Sequence, residues 1–185
     1  MTAVMATSHT QLQDIHRDLI RKEPEITHIV EKVISSLGGT MAGRDHAVKS
    51  VSSMENKIYR LYGDTDLSAD AYCLSDLIRY TCLVREEDIP EVLEEFLNKM
   101  EKADFLILKV EDYFQHPKQG THYKGLHVDL LAPNGLRVEI QVHTLQSYQA
   151  KMKAHWYYQI VRMKDCSKRK RKKAMRQQRL VFDSV

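Results

Sequence analysis

The sequence Gly135-Leu136-Arg137-Val138-Glu139-Ile140-Gln141-Val142-His143-Thr144 alternates between apolar and polar residues from Leu136 to His143. Successive side chains of a strand point to opposite faces, so the pattern predicts one dry face and one polar face. The polar face would carry Arg137, Glu139, Gln141 and His143. Asn134-Gly135, preceded by the alternating run Leu126–Leu130, predicts a β-hairpin. Such a face suits the floor of an active site, although an ordinary half-exposed antiparallel strand has the same pattern.

The composition is that of one globular domain with helical additions or a tail. The chain has 185 residues, of which 43% are hydrophobic, and no apolar run approaches the ~20 residues of a membrane span. The first residues lack the pattern of a secretory signal. The three cysteines (Cys73, Cys82 and Cys166) are odd in number and have no metal-binding spacing, which indicates reduced thiols. We therefore expect a cytoplasmic protein without a membrane partner.

Positive charge is concentrated near the C-terminus. Eight Lys or Arg residues and one acid lie between Lys164 and Arg176, whereas the rest of the chain is slightly acidic. The run Lys168–Lys173 could attract a nucleic acid such as tRNA, or a polyphosphate. A solvated helix face or a loose tail has the same composition.

Helices and strands follow each other in an uneven order along the chain. Helical periodicity covers 10–37, with an interruption near Pro24, and recurs at about 50–63, from Asp88 to Met100, and at 145–162. The capping-box spacings Ser52/Glu55 and Asp88/Glu91 mark two helix starts. Further strands are predicted at 79–84 and 104–110.

This order predicts the α+β class, with a mixed, mainly antiparallel sheet flanked by helices. We divide the chain into N-terminal helices (1–39), a catalytic domain (40–163) and a basic C-terminal helix or tail (164–185).

Two carboxylates are candidates for a magnesium site. Glu139 is centred on the polar face of its strand, and Asp76 directly precedes the strand predicted at 79–84. If the two strands are neighbours, both carboxylates can reach one Mg²⁺, whose shell substrate phosphates and water would complete. The alternatives are a solvated acid and, for Asp76, a cap.

A phosphate site is predicted where a weak strand passes into a helix. The candidate residues are Arg44, Lys49, Ser50, Ser53 and Lys57. A helix N-terminus with hydroxyls and flanking cations binds phosphate, and simple capping beside exposed lysines has the same appearance. The chain contains no P-loop.

The loop 116–127 brings aromatic, imidazole and amine groups to the mouth of a strand. Lys118, Tyr123 and His127 could hold phosphates and stack on a base. His155 and Tyr158 on the closing helix are weaker candidates, since their spacing is also that of a helical core. A zinc site and a Cys–His hydrolase are disfavoured, because the histidines lack ligand spacing and Cys73 and Cys82 lie in core patterns.

Taken in order, these groups resemble the RelA/SpoT synthetase domain over roughly residues 40–162. The resemblance rests on Lys49-Ser50…Ser53…Lys57, on Asp76-Leu77, on Tyr123…Leu126-His127, on Val138-Glu139-Ile140-Gln141-Val142-His143-Thr144 and on His155-Trp156…Tyr158. It implies a nucleotidyltransferase-like fold and a pyrophosphokinase, which moves the β,γ-diphosphate of ATP to the 3′-hydroxyl of GTP or GDP.

The resemblance also implies a role for each candidate. Asp76 and Glu139 would hold Mg²⁺, and Arg44, Lys49, Ser50 and Lys57 would hold ATP. Tyr123 would stack on the acceptor base, while the acceptor side would be lined by His127, Gln141 and His155. Asp76, Glu139 and Gln141 form the implied catalytic group. The reaction needs placement and charge neutralisation more than covalent help.

The chain departs from the family pattern at several of these positions. Arg79 and Thr81 replace the usual Gly and Arg after the aspartate, and Arg79 could supply the missing cation. His122-Tyr123-Lys124-Gly125 replaces Gly-Tyr-x-Ser, and His143 replaces an arginine. Asp45-His46 is not accompanied by the rest of a hydrolase site.

These departures indicate a divergent branch, similar to toxin-like or secreted-effector members that make adenosine products or modify tRNA ends. An adenine nucleotide is therefore a second possible acceptor, and an immunity or antitoxin protein and an oligomer are possible partners. A tRNA 3′ end as acceptor, or a catalytically inactive nucleotide- or RNA-binding module, remain the alternatives.

Overall fold

A computed structural model describes residues 2–62, 74–163 and 165–185, with side chains from residue 9 onward apart from that of residue 62. Its helices are α1 (Thr2–Ser36), α2 (Val51–Tyr62), α3 (Ile89–Lys102), α4 (Leu145–Arg162) and α5 (Lys168–Phe182). Its strands are β1 (Thr40–Ala42), β2 (Ile78–Leu83), β3 (Leu106–Asp112), β4 (Leu126–Leu131) and β5 (Arg137–His143). Cys73, Lys164 and the expected helix end at Gly63 lie outside the described residues.

The five strands form one sheet in the order β1-β2-β5-β4-β3. β2 and β5 run parallel, and every other neighbouring pair is antiparallel. The α+β class with a mixed, mainly antiparallel sheet is therefore confirmed. The parallel pair brings two distant chain segments together, because it places the residues after Asp76 beside those around Glu139.

The hairpin and the two faces of β5 are as the alternating pattern predicts. Leu136, Val138, Ile140 and Val142 are buried in the main core. Gly135 has φ +80°, a left-handed conformation that favours glycine in a tight turn, and β4 and β5 pair directly across that turn. The polar face differs from a half-exposed one at its end, because Gln141 is buried and His143 is completely buried.

The interruption expected at Pro24 is wrong, since α1 continues through this residue. The side chains of Leu12, Leu19, Ile26 and Val30, on both sides of the proline, are buried against the main core. A proline inside a helix costs about 3 kcal/mol. Burial of large aliphatic side chains contributes about 1.5–3 kcal/mol each, so packing on both sides outweighs the lost hydrogen bond.

Three local predictions need smaller corrections. The α2 helix is capped by Ser50 rather than Ser52, because Ser50 Oγ accepts from the Ser53 amide at 3.4 Å. Asp88 precedes α3 but makes no capping bond, since Arg85 Nε donates to its carboxylate at 2.8 Å. β3 begins at Leu106 instead of 104, because Asp104 has φ +61° in a turn.

The basic C-terminal segment forms a helix of its own, α5, which packs along α4. Its buried residues Ala174, Gln178 and Phe182 recur every four positions, and the last of them joins Ala150 and Ala154 of α4 in a small second core. Among the described residues, no helix is long and apolar enough to cross a membrane.

Candidate active site

Asp76 lies at the entrance to β2 between two lysines from different elements. Its Oδ2 accepts from Lys49 Nζ at 2.8 Å, and its Oδ1 accepts from Lys57 Nζ, on α2, at 2.6 Å. Lys49 is positioned by its amide, which donates to the Leu77 carbonyl at 2.9 Å. Only 11–14% of each of these three side chains is exposed. The fold therefore brings together Asp76 and the two lysines, which the sequence had assigned to two separate groups.

The electrostatics of this triad keep Asp76 ionised. Burial raises the pKa of its carboxyl, but the charges and hydrogen bonds of Lys49 and Lys57 outweigh that effect and hold the pKa at about 2. Burial also lowers the pKa of Lys49, which Asp76 only partly offsets. The two shifts oppose each other in their effect on stability, so the triad is better suited to binding charge than to stabilising the fold.

Glu139 lies in the middle of the polar sheet face, and each of its carboxylate oxygens has a neighbour at hydrogen-bonding distance. His127 Nδ1 lies 3.1 Å from its Oε1, and Gln141 Nε2 donates to its Oε2 at 3.0 Å. Glu139 is also paired in register with Arg79 on the parallel strand β2. Burial raises its pKa, yet the bond from His127 and the charge of Arg79 lower it overall, so the carboxylate is ionised.

The two carboxylates suit a magnesium ion in their chemistry. Both supply ionised oxygens, the donors that Mg²⁺ prefers, and they interact electrostatically across the parallel strand pair. No group of three or more His, Cys, Asp or Glu within the described ranges could hold a metal by itself. An ion bound by Asp76 and Glu139 would therefore depend on substrate phosphates and water for its remaining ligands.

A cavity of about 250 Å³ lies beside Asp76, and most of the predicted phosphate site lines it. Three members of that set, Lys49, Ser50 and Ser53, line the cavity, together with Asp76, Arg79 and residues 45–48. Ser50 and Ser53 are hydrogen-bonded to each other at 3.0 Å at the start of α2. Arg44 does not line the cavity. It is exposed, and its Nη1 donates to Glu31 on α1 at 3.1 Å.

Tyr123, His127 and His143 form a hydrogen-bonded cluster next to Glu139. The Tyr123 hydroxyl lies 2.8 Å from His127 Nε2 and 2.9 Å from His143 Nε2. His143 Nδ1 lies 3.0 Å from Ser147 Oγ at the start of α4. Burial, with smaller effects of nearby positive groups, lowers the pKa of His143 to about 2, so this imidazole is neutral. His143 is therefore a structural partner of Tyr123.

The Tyr123 ring packs against neighbouring rings, whereas Lys118 and His155, also predicted to bind a nucleotide, lie at exposed positions. Burial raises the pKa of Tyr123, whose ring has edge contacts with Tyr113 and with Phe182 of α5. Lys118 is exposed, with Nζ 5.6 Å from the centroid of the Tyr113 ring. His155 lies on the exposed side of α4, 2.9 Å from Gln159.

Lys151 is a site residue that the sequence reasoning missed. Its Nζ donates to Gln141 Oε1 at 2.6 Å and to Thr81 Oγ1 at 3.3 Å, so α4 adds a cation to the polar sheet face. A helical signal was present, because Ser147, Lys151 and Ala154 follow the i, i+4, i+7 spacing of one helix face. That face is buried at Ser147 and Ala154.

The fold and site define an α+β domain with a cavity lined partly by cations, an ionised carboxylate at the entrance to β2 and a second one on the adjacent parallel strand β5. Residues 46–177 match the family described as the region found in RelA / SpoT proteins, and the chain belongs to that family. A comparison with curated proteins finds no match.

Solved structures with the same fold include small synthetases and an effector. The Type VI effector Tas1, solved in complex with its immunity protein, has a TM-score of 0.63 at 19% identity, over 95% of this chain and 96% of that chain. Small alarmone synthetase 1 from Bacillus subtilis, solved with its product pppGpp, has a TM-score of 0.61 at 18% identity, over 93% and 94%. Small alarmone synthetase 2 from the same organism has a TM-score of 0.57 at 19% identity, over 95% and 90%.

Proposed function

We propose that this protein transfers the β,γ-diphosphate of ATP to the 3′-hydroxyl of a purine nucleotide. The observation that carries the proposal is a pair of ionised carboxylates: Asp76, in a cavity that Lys49 and Arg79 also line at the entrance to β2, and Glu139 on the adjacent parallel strand β5. Membership of the RelA/SpoT family supports this class of reaction. GTP or GDP, giving (p)ppGpp, and an adenine nucleotide, giving (p)ppApp, are the proposed acceptors.

In the reaction, the acceptor 3′-oxygen forms a bond to the β-phosphorus of ATP. The bond from that phosphorus to the α,β-bridging oxygen breaks, AMP leaves with the electron pair, and the hydroxyl proton passes to water. Such transfers depend mainly on alignment and on stabilising negative charge. Mg²⁺ held by Asp76 and Glu139 would neutralise charge on the phosphate oxygens.

The protein's own residues bind and orient the donor. Lys49 and Lys57 now share Asp76, and a triphosphate entering the cavity offers them further oxygens. Ser50 and Ser53 add hydroxyls at the N-terminus of α2, where free amide groups favour an anion. We propose that Arg44, which directly precedes the cavity-lining residue Asp45, contacts the ATP base.

On the acceptor side, we propose that Tyr123 provides the surface on which the base stacks, with Gln141, His127 and His155 around it. His127 Nδ1 faces a carboxylate at 3.1 Å and therefore carries a proton. This bond orients Glu139, and Gln141 holds the other oxygen of the same carboxylate. Lys118 lies at the loop that leads to this region and is a candidate for the acceptor phosphates.

We further propose that the protein acts as a growth-inhibiting effector in the cytoplasm of a target cell. The likeness in fold to an effector solved with its immunity protein supports it, and implies an immunity or antitoxin partner. The exposed basic residues Lys168–Lys173 favour one alternative acceptor, the 3′ end of tRNA.

The test is a product assay with ATP, Mg²⁺ and each candidate acceptor in turn: ATP, ADP, AMP, GTP, GDP and deacylated tRNA. We expect AMP release and a 3′-diphosphorylated product with at least one purine nucleotide. Asp76→Asn and Glu139→Gln should each lower the rate by about 10²-fold or more, because each removes a carboxylate charge that would hold Mg²⁺ against the phosphates. Glu94→Gln, at an exposed acid on α3, is the matched control.

Absence of AMP with every acceptor would overturn the proposal and leave a nucleotide- or RNA-binding module. An unchanged rate in Glu139→Gln would refute the assigned role of the carboxylate. Product on tRNA alone would transfer the same chemistry to an RNA substrate.

A further inference from the structure

Lys151 extends from α4 onto the polar face of the sheet. Its position in the helix is one turn after Ser147 and almost one turn before Ala154, both of which are buried against the rest of the fold. The ammonium group contacts Gln141 of β5 at 2.6 Å and Thr81 of β2 at 3.3 Å. These two partners are paired in the parallel register, so Lys151 spans the same strand pair that carries Arg79 and Glu139.

Both partners of Lys151 are neutral. The nearest carboxylate, Glu139, is already bonded by His127 and Gln141, and it lies in register with Arg79. Among the described residues, no carboxylate therefore forms a hydrogen bond or ion pair with the half-buried ammonium of Lys151, and the exposed Arg79 adds a second cation on the same strand pair. A charge removed from water without an ionic partner is unfavourable, and an incoming anion relieves that cost.

The net effect of the groups around Lys151 is to lower its pKa. Burial and the charge of Arg79 lower its pKa to about 8, against the opposing effect of Glu139. His143 on β5 is neutral, and Tyr148 on the same helix places its ring centroid 5.7 Å from Nζ. Titratable groups thus face Lys151 from β2, β5 and α4, and Glu139 alone among these groups is anionic.

We propose that Lys151, together with Arg79, binds the phosphate oxygens of the diphosphate that is transferred beside Glu139. The inference deepens the proposed function and rests on it. Lys151 forms no covalent bond and moves no proton in this role. It supplies positive charge where negative charge accumulates as the β-phosphorus passes between the two oxygens, which is the contribution expected of a lysine in phosphoryl transfer.

The first test measures the rate of AMP release and the melting temperature for Lys151→Met, Lys151→Arg and the control Lys153→Met. Lys153 lies on the exposed side of the same helix. Lys151→Met should lower kcat by about 100-fold, because one charge-stabilising donor is lost. Its melting temperature should equal or exceed that of the parent protein, because a buried charge without a carboxylate partner has been removed.

Lys151→Arg should retain activity within about tenfold, because the guanidinium keeps the charge and can bind phosphate. Lys153→Met should match the parent protein in both measurements. A structural role for Lys151 would give the opposite result, with a lower melting temperature in Lys151→Met and no rescue by arginine.

A pH profile distinguishes the effect of the charge of Lys151 from the effect of the shape of its side chain. In the parent protein, kcat/KM should fall above about pH 8, because this parameter reports the free protein, in which Lys151 loses its proton there. The decline in kcat should begin at higher pH, since bound phosphate favours the charged ammonium. In Lys151→Arg, the alkaline decline assigned to Lys151 should be absent, because guanidinium stays protonated.

A binding measurement distinguishes failure of this inference from failure of the proposed function. The affinity for Mg·ATP without acceptor, measured by calorimetry, should fall about tenfold in Lys151→Met, as expected for a lost phosphate contact worth about 1.4 kcal/mol. If no acceptor supports AMP release but this loss of affinity occurs, the proposed reaction is wrong and phosphate binding by Lys151 stands. If Lys151→Met binds and reacts like the parent protein, the inference is wrong.

Discussion

Gly125 leaves room for the contact between Tyr123 and His143. A Cβ atom at position 125 would lie 2.7 Å from His143 Cε1 and 2.8 Å from the Tyr123 hydroxyl, and real Cβ atoms do not approach so closely. Both neighbours are held by hydrogen bonds, and His143 is completely buried, so neither can move cheaply. The glycine at 125 and the histidine at 143, two departures from the family pattern, are therefore structurally coupled.

Gly125→Ala should lower the free energy of unfolding by about 1–3 kcal/mol, the usual cost of overpacking a close-packed site. His143→Ala removes the nearest clashing group, so the double variant should lose less stability than the sum of the two single variants. Urea denaturation of the four proteins measures this coupling. The control cycle pairs His143→Ala with Gly43→Ala, where nothing lies within 4 Å of the added Cβ, and should be additive. Additivity in the Gly125 cycle would contradict the coupling.

Single residues differ in how far their surroundings could be predicted from the sequence. The positions of Asp76, Lys49 and Glu139 could be predicted, because spacing and strand order bring them to one place. The surroundings of Thr81 could not, since they depend on how α4 lies across the sheet, and Lys151 supplies a cation there in addition to Arg79. His122 has a left-handed backbone, with φ +54°, at a position where the family pattern has glycine. The residue type did not predict this conformation, because a positive φ is uncommon for residues other than glycine.

At the scale of elements, α5 combines two surfaces that the sequence could not separate. Its first turns carry the exposed basic run Lys168–Lys173, and its later turns bury Gln178 and Phe182. The Phe182 ring lies 5.3 Å from that of Tyr123, centroid to centroid, so the end of the helix supports the proposed acceptor surface. Cutting the chain after residue 163 would remove both features at once, and a truncation therefore cannot test the basic run alone.

Charge-neutralising substitutions provide the cleaner experiment. If the basic run binds RNA, changing Lys168, Arg169 and Lys172 together to glutamine should weaken tRNA binding. The slope of log affinity against log salt should become shallower by about 2–3, since each lost phosphate contact removes about 0.7–0.9. AMP release with free nucleotides should be unchanged, because these side chains are exposed at the start of α5, whereas Phe182 at its end makes the contact with Tyr123. Phe182→Ala is the complementary variant, expected to destabilise the fold and alter Tyr123 while leaving the basic run intact. Unchanged tRNA affinity in the triple variant would show that this surface is not an RNA site.

Periodicity predicted most elements, and packing decided the remainder. The β5 alternation and the Asn134-Gly135 turn specify the hairpin locally, so both were predictable. The unbroken path of α1 through Pro24 was not, because it follows from burial along a helix whose partner strands lie far away in sequence. The hydroxyl of Tyr80 on β2 lies 2.8 Å from Thr27 Oγ1 on α1, three residues after the proline, which ties the helix to the sheet there.

At the scale of the whole molecule, α1 and the sheet share one hydrophobic core. Leu12, Leu19, Ile26, Val30 and Ile34 of α1 belong to the same buried cluster as the inward residues of β2, β4 and β5. The division at residue 39 remains a prediction about organisation. The shared core implies that residues on both sides of that boundary unfold together.

Leu19→Ala should therefore destabilise the entire protein. Leu19 is fully buried, and removing its side chain from a close-packed core should cost about 3 kcal/mol or more. Ile20→Ala is the matched control, because the neighbouring side chain is 52% exposed and should cost less than about 1 kcal/mol. Urea unfolding should be followed by far-UV circular dichroism for the helices and by near-UV circular dichroism for the packed tyrosines. In both variants the two signals should give one coincident transition, shifted to lower urea mainly in Leu19→Ala. Two separate transitions, with the tyrosine signal unaffected by Leu19→Ala, would show that α1 folds independently of the sheet that carries the site.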